Sequence, residues 1–255
     1  MLELNRIYNE DCLEGMKRIP DKSIDMILCD LPYGTTACKW DTVIPFEPLW
    51  EQYERVIKDN GAICLFGSEP FSSALRMSNI KDYRYDLIWE KERPTNIFVM
   101  KKQFGKVHEN ISVFYKTQPT YNPIMEASLQ PKNNKNNKSQ NGFMNEIKTF
   151  GKTKTKISKE YNNELRYPRS VLKFSRGTKS NGLHPTQKPV ALCEYLIKTY
   201  TNEGETVLDN CMGSGTTAIA CINTNRNFIG FELDPAYCAI AEERIKKAKQ
   251  DKLLF

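Results

Sequence analysis

The stretch that decides the fold is Thr206-Val207-Leu208-Asp209-Asn210-Cys211-Met212-Gly213-Ser214-Gly215-Thr216-Thr217. It predicts a short buried strand that runs into a glycine loop and then into a helix through about Asn223. A second predicted strand, 227–231, ends in Glu232, nineteen residues after Gly213. Such a unit binds an adenosyl cofactor, because glycines let the backbone approach the ligand and the final carboxylate accepts ribose hydroxyls.

The order of the elements separates two interpretations of this unit. Gly213-x-Gly215-x-x-Ala218 satisfies the dinucleotide fingerprint, so a nicotinamide oxidoreductase has to be weighed. A dinucleotide fold starts with this loop and needs several strands after it. Only about forty residues follow Gly215, so the other strands must come from the N-terminal part of the chain. The predicted sheet is therefore a circular permutation, and S-adenosylmethionine, which has no pyrophosphate, is the better match.

A second motif follows the apolar run 24–29, which predicts another buried parallel strand. The motif is Asp30-Leu31-Pro32-Tyr33-Gly34, which turns the chain and offers a carboxylate, backbone carbonyls and an aromatic face. Open α/β sheets bind their ligands at the carboxyl edge of the strands. A helix-capping Asp and a core Tyr are the structural alternative for the same residues.

The remaining elements follow from periodicity and turn signals. Trp50 and Tyr53 lie on one face of a predicted helix that ends with Asn60-Gly61 as its C-cap. The other predicted elements are strands at about 3–8, 62–66, 85–89 and 111–115, and helices up to about 18 and at about 70–79, 189–200 and 236–249.

The charge is unevenly distributed along the chain. The net charge is +6, yet residues 132–179 contain 13 Lys or Arg against three Glu, so this segment carries +10 and the remainder −4. A basic insert on a slightly acidic body indicates an element that binds a polyanion; a solvated Lys-rich loop is the alternative. Its last part mixes basic and aromatic side chains, as phosphate contacts and base stacking require.

Cysteine usage and hydropathy bear on the compartment. The eight cysteines include no Cys-x-x-Cys pair, and several stand in apolar runs, where a free Cys behaves as a small hydrophobe. No secretory signal and no membrane-spanning run is evident. We therefore expect a reduced, cytoplasmic protein without a structural metal.

Four motifs in order resemble those of the permuted, beta-type DNA amino-methyltransferases, the N4/N6 DNA methylase family. They are Asn9-Glu10-Asp11-Cys12-Leu13-Glu14, Asp30-Leu31-Pro32-Tyr33, His184-Pro185-Thr186-Gln187-Lys188-Pro189 and Leu208-Asp209-Asn210-Cys211-Met212-Gly213-Ser214-Gly215. The resemblance implies a Rossmann-like α/β fold of the S-adenosylmethionine-dependent methyltransferases, circularly permuted, with a mostly parallel seven-stranded sheet and helices on both faces. It implies a catalytic part at 1–116, a basic target-recognition insert at 117–180 and a cofactor-binding part at 181–255.

The resemblance also assigns site residues. The catalytic set is Asp30, Leu31, Pro32 and Tyr33. The residues expected to bind S-adenosylmethionine are Asp11, Cys12, Asp30, His184, Thr186, Lys188, Asp209, Cys211, Gly213, Ser214, Gly215, Thr216, Thr217 and Glu232. The mixture of basic and aromatic side chains in the insert adds Arg166, Arg169, Lys173 and Arg176 as residues expected to bind DNA. Trp40 and Phe66 are candidate pocket walls, with a core position as an equal alternative for each.

Some of these assignments have structural alternatives. Leu31 departs from the proline that is usual in the family, but the implied mechanism uses only its backbone carbonyl. Asp11 could simply cap a helix, and Asp209 could orient the loop backbone. Glu232 could be a solvated strand end, Lys188 a surface lysine and His184 a partner of a backbone group.

The implied reaction is methylation of an exocyclic amine in duplex DNA after the target base flips out. Asp30 and the carbonyl of Leu31 would accept the amine N–H groups, and Tyr33 would stack on the base. Carbon methylation of cytosine is not indicated, because the chain has no Pro-Cys pair. General-base catalysis by His is not indicated either, since only His108 and His184 occur, neither beside Asp30.

The initial Asp of the tetrapeptide favours the N6 of adenine, with the N4 of cytosine as the nearest alternative. More distant alternatives are methylation of RNA or of a protein glutamine, an inactive DNA-binding module and the nicotinamide oxidoreductase. The resemblance leaves open a homodimer and a cognate restriction endonuclease of a restriction-modification system.

Overall fold

A sheet of eight strands organises the computed structural model, which describes residues 2–35, 41–128, 164–175 and 187–253. Its strands are β1 Arg6–Tyr8, β2 Ile24–Cys29, β3 Ile57–Gly67, β4 Tyr83–Glu90, β5 His108–Phe114, β8 Val171–Lys173, β9 Thr206–Asp209 and β10 Asn227–Phe231. They lie in the order β1-β10-β9-β2-β3-β5-β4-β8. The helices are α1 Cys12–Met16, α2 Phe46–Val56, α3 Phe71–Ser78, α4 Val190–Tyr200, α5 Thr216–Asn223 and α6 Pro235–Leu253, with a 3-10 helix at Ile97–Val99.

Strand β2 joins the two halves of the chain. It pairs in parallel with β9 on one side, where Met26 lies opposite Val207, and with β3 on the other, where Met26 lies opposite Ala62. Among the described strands of this sheet, only β5 runs antiparallel to its neighbours, β3 and β4. The permuted, mostly parallel α/β fold is thus confirmed, with one strand more than expected, because β8 adds to the edge beside β4.

Two apolar cores cover the two faces of the sheet. The side chains of β2 alternate between them, since Met26 and Leu28 contribute to one core while Ile27 and Cys29 contribute to the other. Helices α4, α5 and α6 pack on the first face, and α1, α2 and α3 on the second. A strand that is buried on both faces is continuously apolar, which explains the run at 24–29.

The predicted helix C-cap at Asn60-Gly61 is wrong. Helix α2 already ends at Val56, and β3 begins at once with Ile57. The register between β2 and β3 shifts between Ile24 and Met26, so the Asn-Gly pair lies at a strand irregularity. Glycine is needed there for close approach, because a Cβ at Gly61 would lie 2.8 Å from the carbonyl oxygen of Asp25.

The chain forms two compact units. The first comprises Met1–Asn122 and Arg169–Phe255 and contains the large sheet, whereas the second is Pro123–Pro168. In the second unit, β6 (Glu126–Ala127) and β7 (Leu165–Arg166) form a two-stranded antiparallel ladder. Most of the predicted insert, including its most basic part, lies outside the described residues, and its role stays a prediction. Among the described helices, none has the length and apolarity to cross a membrane.

Candidate active site

The carboxyl ends of three neighbouring strands bring the predicted motifs to one edge of the sheet. Strands β2, β9 and β10 lie side by side and parallel, and Asp30, Asn210 and Glu232 follow their last residues. A cleft of about 450 Å³ opens at this edge, a volume in the range of small-molecule sites. The described residues predicted to act in catalysis or to bind the cofactor all line it except Gly215.

The glycine loop is anchored by Glu232. Its Oε2 accepts a hydrogen bond from the backbone N–H of Gly213 at 2.7 Å, and its Oε1 accepts one from Asp234 at 2.8 Å. Burial raises the pKa of Glu232, against the opposing effect of these backbone donors. Since a carboxylate has about four acceptor positions, two backbone donors leave capacity for ligand hydroxyls.

Glycine is needed at the two positions of the loop for different structural reasons. Both have a positive φ, +53° at Gly213 and +85° at Gly215. A Cβ at Gly213 would meet only open space, which agrees with a backbone exposed to a ligand, but a Cβ at Gly215 would lie 3.0 Å from the Cβ of Ala241 in α6. Gly215 therefore also allows the loop to pack on a helix, and its contact with the ligand stays a prediction.

Asp209, the last residue of β9, accepts a hydrogen bond from the backbone of the loop. Its Oδ1 accepts from the backbone N–H of Cys211 at 3.1 Å, so the alternative that Asp209 orients the loop has direct support. Burial raises the pKa of Asp209 to about 6, although hydrogen bonds from Thr217 and from Cys211 oppose the shift. Arg244 of α6 donates to Ser214 Oγ at 2.8 Å and also to the Ser214 carbonyl. These two hydrogen bonds hold Ser214, which lies between the two glycines, in place.

Asp11 acts as the N-cap of α1. Its Oδ1 accepts from the backbone N–H groups of Leu13 at 2.8 Å and Glu14 at 3.2 Å, as an N-cap carboxylate does. Asp11 and the adjacent Cys12 also line the cleft. Capping therefore accounts for Asp11 without excluding contact with a ligand.

In the tetrapeptide, Asp30 is held by two side chains. Tyr33 donates its hydroxyl to Asp30 Oδ1 at 2.6 Å, and Lys188 forms an ion pair and hydrogen bond with Oδ2. The side chain of Leu31 is buried in the core. Burial raises the pKa of Tyr33, as do the negative charges of Asp30 and Glu109, so Tyr33 stays a neutral hydrogen-bond donor. The structure therefore orients the carboxylate before any substrate arrives.

Sequence reasoning missed the continuation of this network. Lys188 also faces Glu109 Oε2 at 3.4 Å, and Glu109 pairs in addition with the buried Lys91. Burial lowers the pKa of Lys188, but the charges of Asp30 and Glu109 outweigh it, so that the pKa is raised overall. Glu109 shows the converse: burial acts to raise its pKa, and the two lysines bring it below the usual value. The one sequence signal was an acidic residue, Glu109, just before the strand predicted at about 111–115.

Aromatic side chains form part of the wall. Phe66 lines the cleft as predicted, and the ammonium of Lys188 lies 5.2 Å from the centroid of its ring. Tyr33 stacks on Phe71, with ring centroids 5.0 Å apart and planes at 28°. One face of Tyr33 is thus already covered. Trp40, His184, Thr186 and Arg176 lie outside the described residues.

The other residues expected to bind DNA already have polar partners or exposed positions. Arg166 pairs with Glu126 at 3.1 Å inside the second unit. In the first unit, Lys173 lies in β8 with its ammonium 3.3 Å from Glu90, and Arg169 is exposed just before that strand. Their role in DNA binding stays a prediction.

The cleft and its surroundings contain free thiols but no evident metal-ligand cluster among the described residues. Within the described ranges, no group of three or more His, Cys, Asp or Glu is arranged to hold a metal ion. The seven described cysteines are free thiols, and six of them are buried.

Comparison with known proteins identifies the family. A family model described as DNA methylase, of the N6 and N4 type, matches residues 24–243. The type II methyltransferase M.HpaI of Haemophilus parainfluenzae is 27% identical over 94% of this chain and 74% of its own length. M.HinfI of Haemophilus influenzae is also 27% identical, over 96% of this chain and 69% of its own length.

Solved structures share the fold. The complex of M1.HpyAVI with S-adenosylmethionine matches with a TM-score of 0.63 and 25% identity, covering 94% of this chain and 98% of that one. The PvuII DNA methyltransferase, described as cytosine-N4-specific, matches with a TM-score of 0.64 at 17% identity, covering 95% of this chain and 90% of that one. From the family match, the two relatives and the shared fold, the chain belongs to the N6/N4 DNA methylase family and is an S-adenosylmethionine-dependent DNA methyltransferase.

Proposed function

We propose that this enzyme methylates the exocyclic N6 amine of adenine at a specific site in duplex DNA, with the target base flipped into the cleft. The observation that carries the proposal is the Asp30 carboxylate, oriented by Tyr33 and Lys188 in the cleft that Gly213 and Glu232 also line. A base amine bound at Asp30 would therefore lie beside the cofactor. Flipping is required because the amine is paired inside the duplex.

Methylation of an exocyclic amine requires hydrogen-bond acceptors for the amine and no covalent nucleophile on the enzyme. The amine of adenine is a poor nucleophile because its lone pair is delocalised into the ring. Asp30 and the carbonyl of Leu31 would each accept one N–H, which favours a more tetrahedral nitrogen and frees the lone pair. Tyr33 and Lys188 occupy two acceptor positions of Asp30, so the carboxylate retains capacity for the amine.

The cleft fits S-adenosylmethionine, which supplies an electrophilic methyl group on a sulfonium. Glu232 would accept the ribose hydroxyls, Gly213 would expose its backbone, and Asp11 and Cys12 would border the adenine. The open space beside Gly213 supports this orientation. Holding the amine and the methyl group in one geometry is expected to provide much of the rate acceleration.

Tyr33 would stack on the flipped base. Since Phe71 covers one face of its ring, we assign the base to the other face. Stacking of a base on an aromatic side chain contributes about 1–3 kcal/mol. The hydrogen bond from Tyr33 to Asp30 would then couple base stacking to the orientation of the acceptor.

The product of the reaction tests this proposal. Unmethylated genomic DNA is incubated with the enzyme and S-adenosylmethionine, digested to nucleosides and analysed by mass spectrometry, with the variant Asp30→Ala as the inactive control. N6-methyl-2′-deoxyadenosine is the expected product. N4-methylcytosine alone would overturn the choice of base, and that alternative is retained because both amines need the same two acceptors and the PvuII enzyme, cytosine-N4-specific, shares the fold.

Other outcomes would overturn more of the proposal. Transfer to RNA or to a glutamine peptide but not to duplex DNA would contradict the substrate, and binding of a nicotinamide dinucleotide instead of S-adenosylmethionine would contradict the chemistry. A homodimer and a cognate restriction endonuclease belong to the proposal by resemblance alone, and the proposed cytoplasmic location rests on cysteine usage and hydropathy. Sedimentation of the purified protein tests the dimer.

A further inference from the structure

An ordered arm connects β4 to β5. We define the β4–β5 arm as residues 91–107. Its base is a short ladder, because the backbone N–H of Lys91 donates to the Val107 carbonyl at 2.7 Å and that of Thr95 donates to Lys106 at 3.0 Å. Asn96 adds two links, accepting from the N–H of Lys106 at 2.7 Å and donating to the carbonyl of Phe104 at 3.0 Å. The arm is thus a defined protrusion with its own hydrogen bonds.

The arm presents its large apolar side chains to solvent. Phe98 is 101% exposed, Phe104 is 98% exposed and Ile97 is 65% exposed. Single exposed apolar residues are normal on a protein surface. Several of them on one short segment, including two fully exposed aromatic rings, indicate a surface that contacts a partner.

The charge of the arm specifies the kind of partner. Arg93, Lys101 and Lys102 are exposed, and Glu92 is the only acidic residue of the arm. Across the described parts of the chain, no carboxylate forms an ion pair with these three cations. Exposed aromatic rings that share a short segment with cations lacking an ion pair among the described residues suit nucleic acid, in which bases offer stacking faces and phosphates offer negative charge.

The arm begins and ends at the edge of the sheet where the cleft lies, as the pairing of the strands shows. Strands β2 and β3 are parallel and end at this edge, and β5 begins there, since Asn110 lies opposite Gly67 at the end of β3. Lys106 donates to Ser68, just beyond β3. At the base of the arm, Lys91 pairs with Glu109, which faces Lys188 in the cleft. The arm therefore leaves the same edge as Asp30.

We propose that the β4–β5 arm enters the target duplex beside the flipped base, where Phe98 and Phe104 stack on the bases that flipping leaves unstacked and Lys101 and Lys102 bind the flanking phosphates. This inference rests on duplex DNA being the substrate. Flipping a nucleotide out of the stack is costly. Apolar or aromatic side chains that insert at a base step compensate part of that cost.

The test compares two double variants that each remove two exposed apolar side chains. F98A/F104A changes the arm, whereas M77A/I80A changes Met77 and Ile80 near the end of α3, which are 69% and 58% exposed. Transfer of radiolabelled methyl groups from S-adenosylmethionine to unmethylated genomic DNA gives kcat/KM, and calorimetry gives the Kd of S-adenosylmethionine. For F98A/F104A we expect kcat/KM to fall about tenfold or more, with the Kd and the melting temperature equal to those of M77A/I80A.

A second measurement concerns the phosphates. Binding of each protein to a fluorescein-labelled 30-base-pair duplex is followed by anisotropy at several salt concentrations. For K101Q/K102Q we expect the slope of log K against log salt to become shallower by about two, because each lost phosphate contact removes about one unit.

Two results would overturn the proposal. One is equal methyl transfer and equal duplex affinity for F98A/F104A and M77A/I80A. The other is a shift of F98A/F104A from dimer to monomer in sedimentation with transfer unchanged, which would assign the arm to contact between copies of the chain. Total label transfer does not depend on which base is methylated, so this test remains valid if the enzyme methylates cytosine instead of adenine. The anisotropy measurement tests DNA binding by the arm even if no methyl transfer is detected.

Discussion

At the scale of the residue, Asp30 gains its properties from distant neighbours. The tetrapeptide supplies the carboxylate and Tyr33, but the cation beside it, Lys188, comes from a segment more than 150 residues later. Glu109 and Lys91 extend the same buried network. An acceptor that must bind a neutral amine benefits from a fixed orientation, because little reorganisation is then needed at the moment of reaction.

Replacing Asp30 by Asn tests its role as an acceptor. The amide keeps the size of the side chain but loses the negative charge and one of the two acceptor oxygens. We expect kcat to fall by roughly 100-fold or more, a larger change than that in the Kd of S-adenosylmethionine. Single-turnover methyl transfer and calorimetry measure the two quantities. Unchanged transfer would refute the proposed mechanism.

Lys188 can be tested as a positioning residue by a pair of variants. Lys188→Gln leaves Asp30 and Glu109 without their shared cation, and breaking a buried ion pair costs about 3–5 kcal/mol. We expect kcat to fall and the acid limb of the pH–rate profile to move to higher pH, since the charge of Lys188 lowers the pKa of Glu109 and its removal raises that pKa again. Lys188→Arg keeps the charge and should restore the profile at least in part. Identical profiles for the Gln variant and the wild type would contradict this role.

At the scale of the element, the glycine loop has to leave open space beside Gly213 and to pack closely against α6 at Gly215. The sequence pattern does not distinguish these two requirements. Both glycines adopt a left-handed backbone, but only Gly215 packs closely against α6. The pattern predicted the loop, the flanking strand and helix, and Glu232 at the end of β10. It could not separate the roles of the two glycines, because the packing of α6 on the loop is a long-range contact that a local pattern does not encode.

The variants Gly213→Ala and Gly215→Ala separate these requirements. Each places a Cβ on a left-handed residue, at a cost of about 1–2 kcal/mol. Gly215→Ala must also move Ala241, so its loss of unfolding free energy should be the larger. Gly213→Ala should instead weaken S-adenosylmethionine binding more than Gly215→Ala does. Urea denaturation and calorimetry check both rankings, and the reverse order in either would count against the assignment.

Element prediction succeeded where local periodicity was strong and failed where long-range contacts decide. The apolar runs that become β2, β9 and β10 were evident, because a strand buried on both faces has few polar residues. The Asn60-Gly61 pair resembled a helix end, yet its glycine serves the close approach to Asp25 across β2 and β3. The pairing of Lys188 with Asp30 was equally inaccessible, since no local pattern encodes it.

At the scale of the whole molecule, Asp209 links stability to pH. Burial raises its pKa from 3.8 to about 6, so between these values the folded state binds more protons than the unfolded state. The free energy of unfolding therefore decreases as the pH rises through this interval, and the penalty is complete above pH 6. Ionised Asp209 is a cost to stability at neutral pH, and its loop contacts offset that cost only in part.

The variant Asp209→Asn removes this titration. Its free energy of unfolding relative to the wild type should increase by about 2 kcal/mol between pH 4.5 and pH 7.5. Urea denaturation at a series of pH values measures the difference. Two stability curves that stay parallel over the interval would mean that Asp209 does not titrate there.

The position of β2 between β3 and β9 has a consequence for how such chains diverge. Because Met26 pairs with Val207, the sheet closes over a very long stretch of chain that includes the unit Pro123–Pro168. The entropy of closing a flexible loop grows only logarithmically with its length, by about 0.6 kcal/mol for each doubling. A segment inside that stretch can lengthen, shorten or be exchanged at little cost to the sheet. Under the proposed function, this architecture would let new sequence specificities evolve in the predicted target-recognition insert while the edge that carries Asp30 stays unchanged.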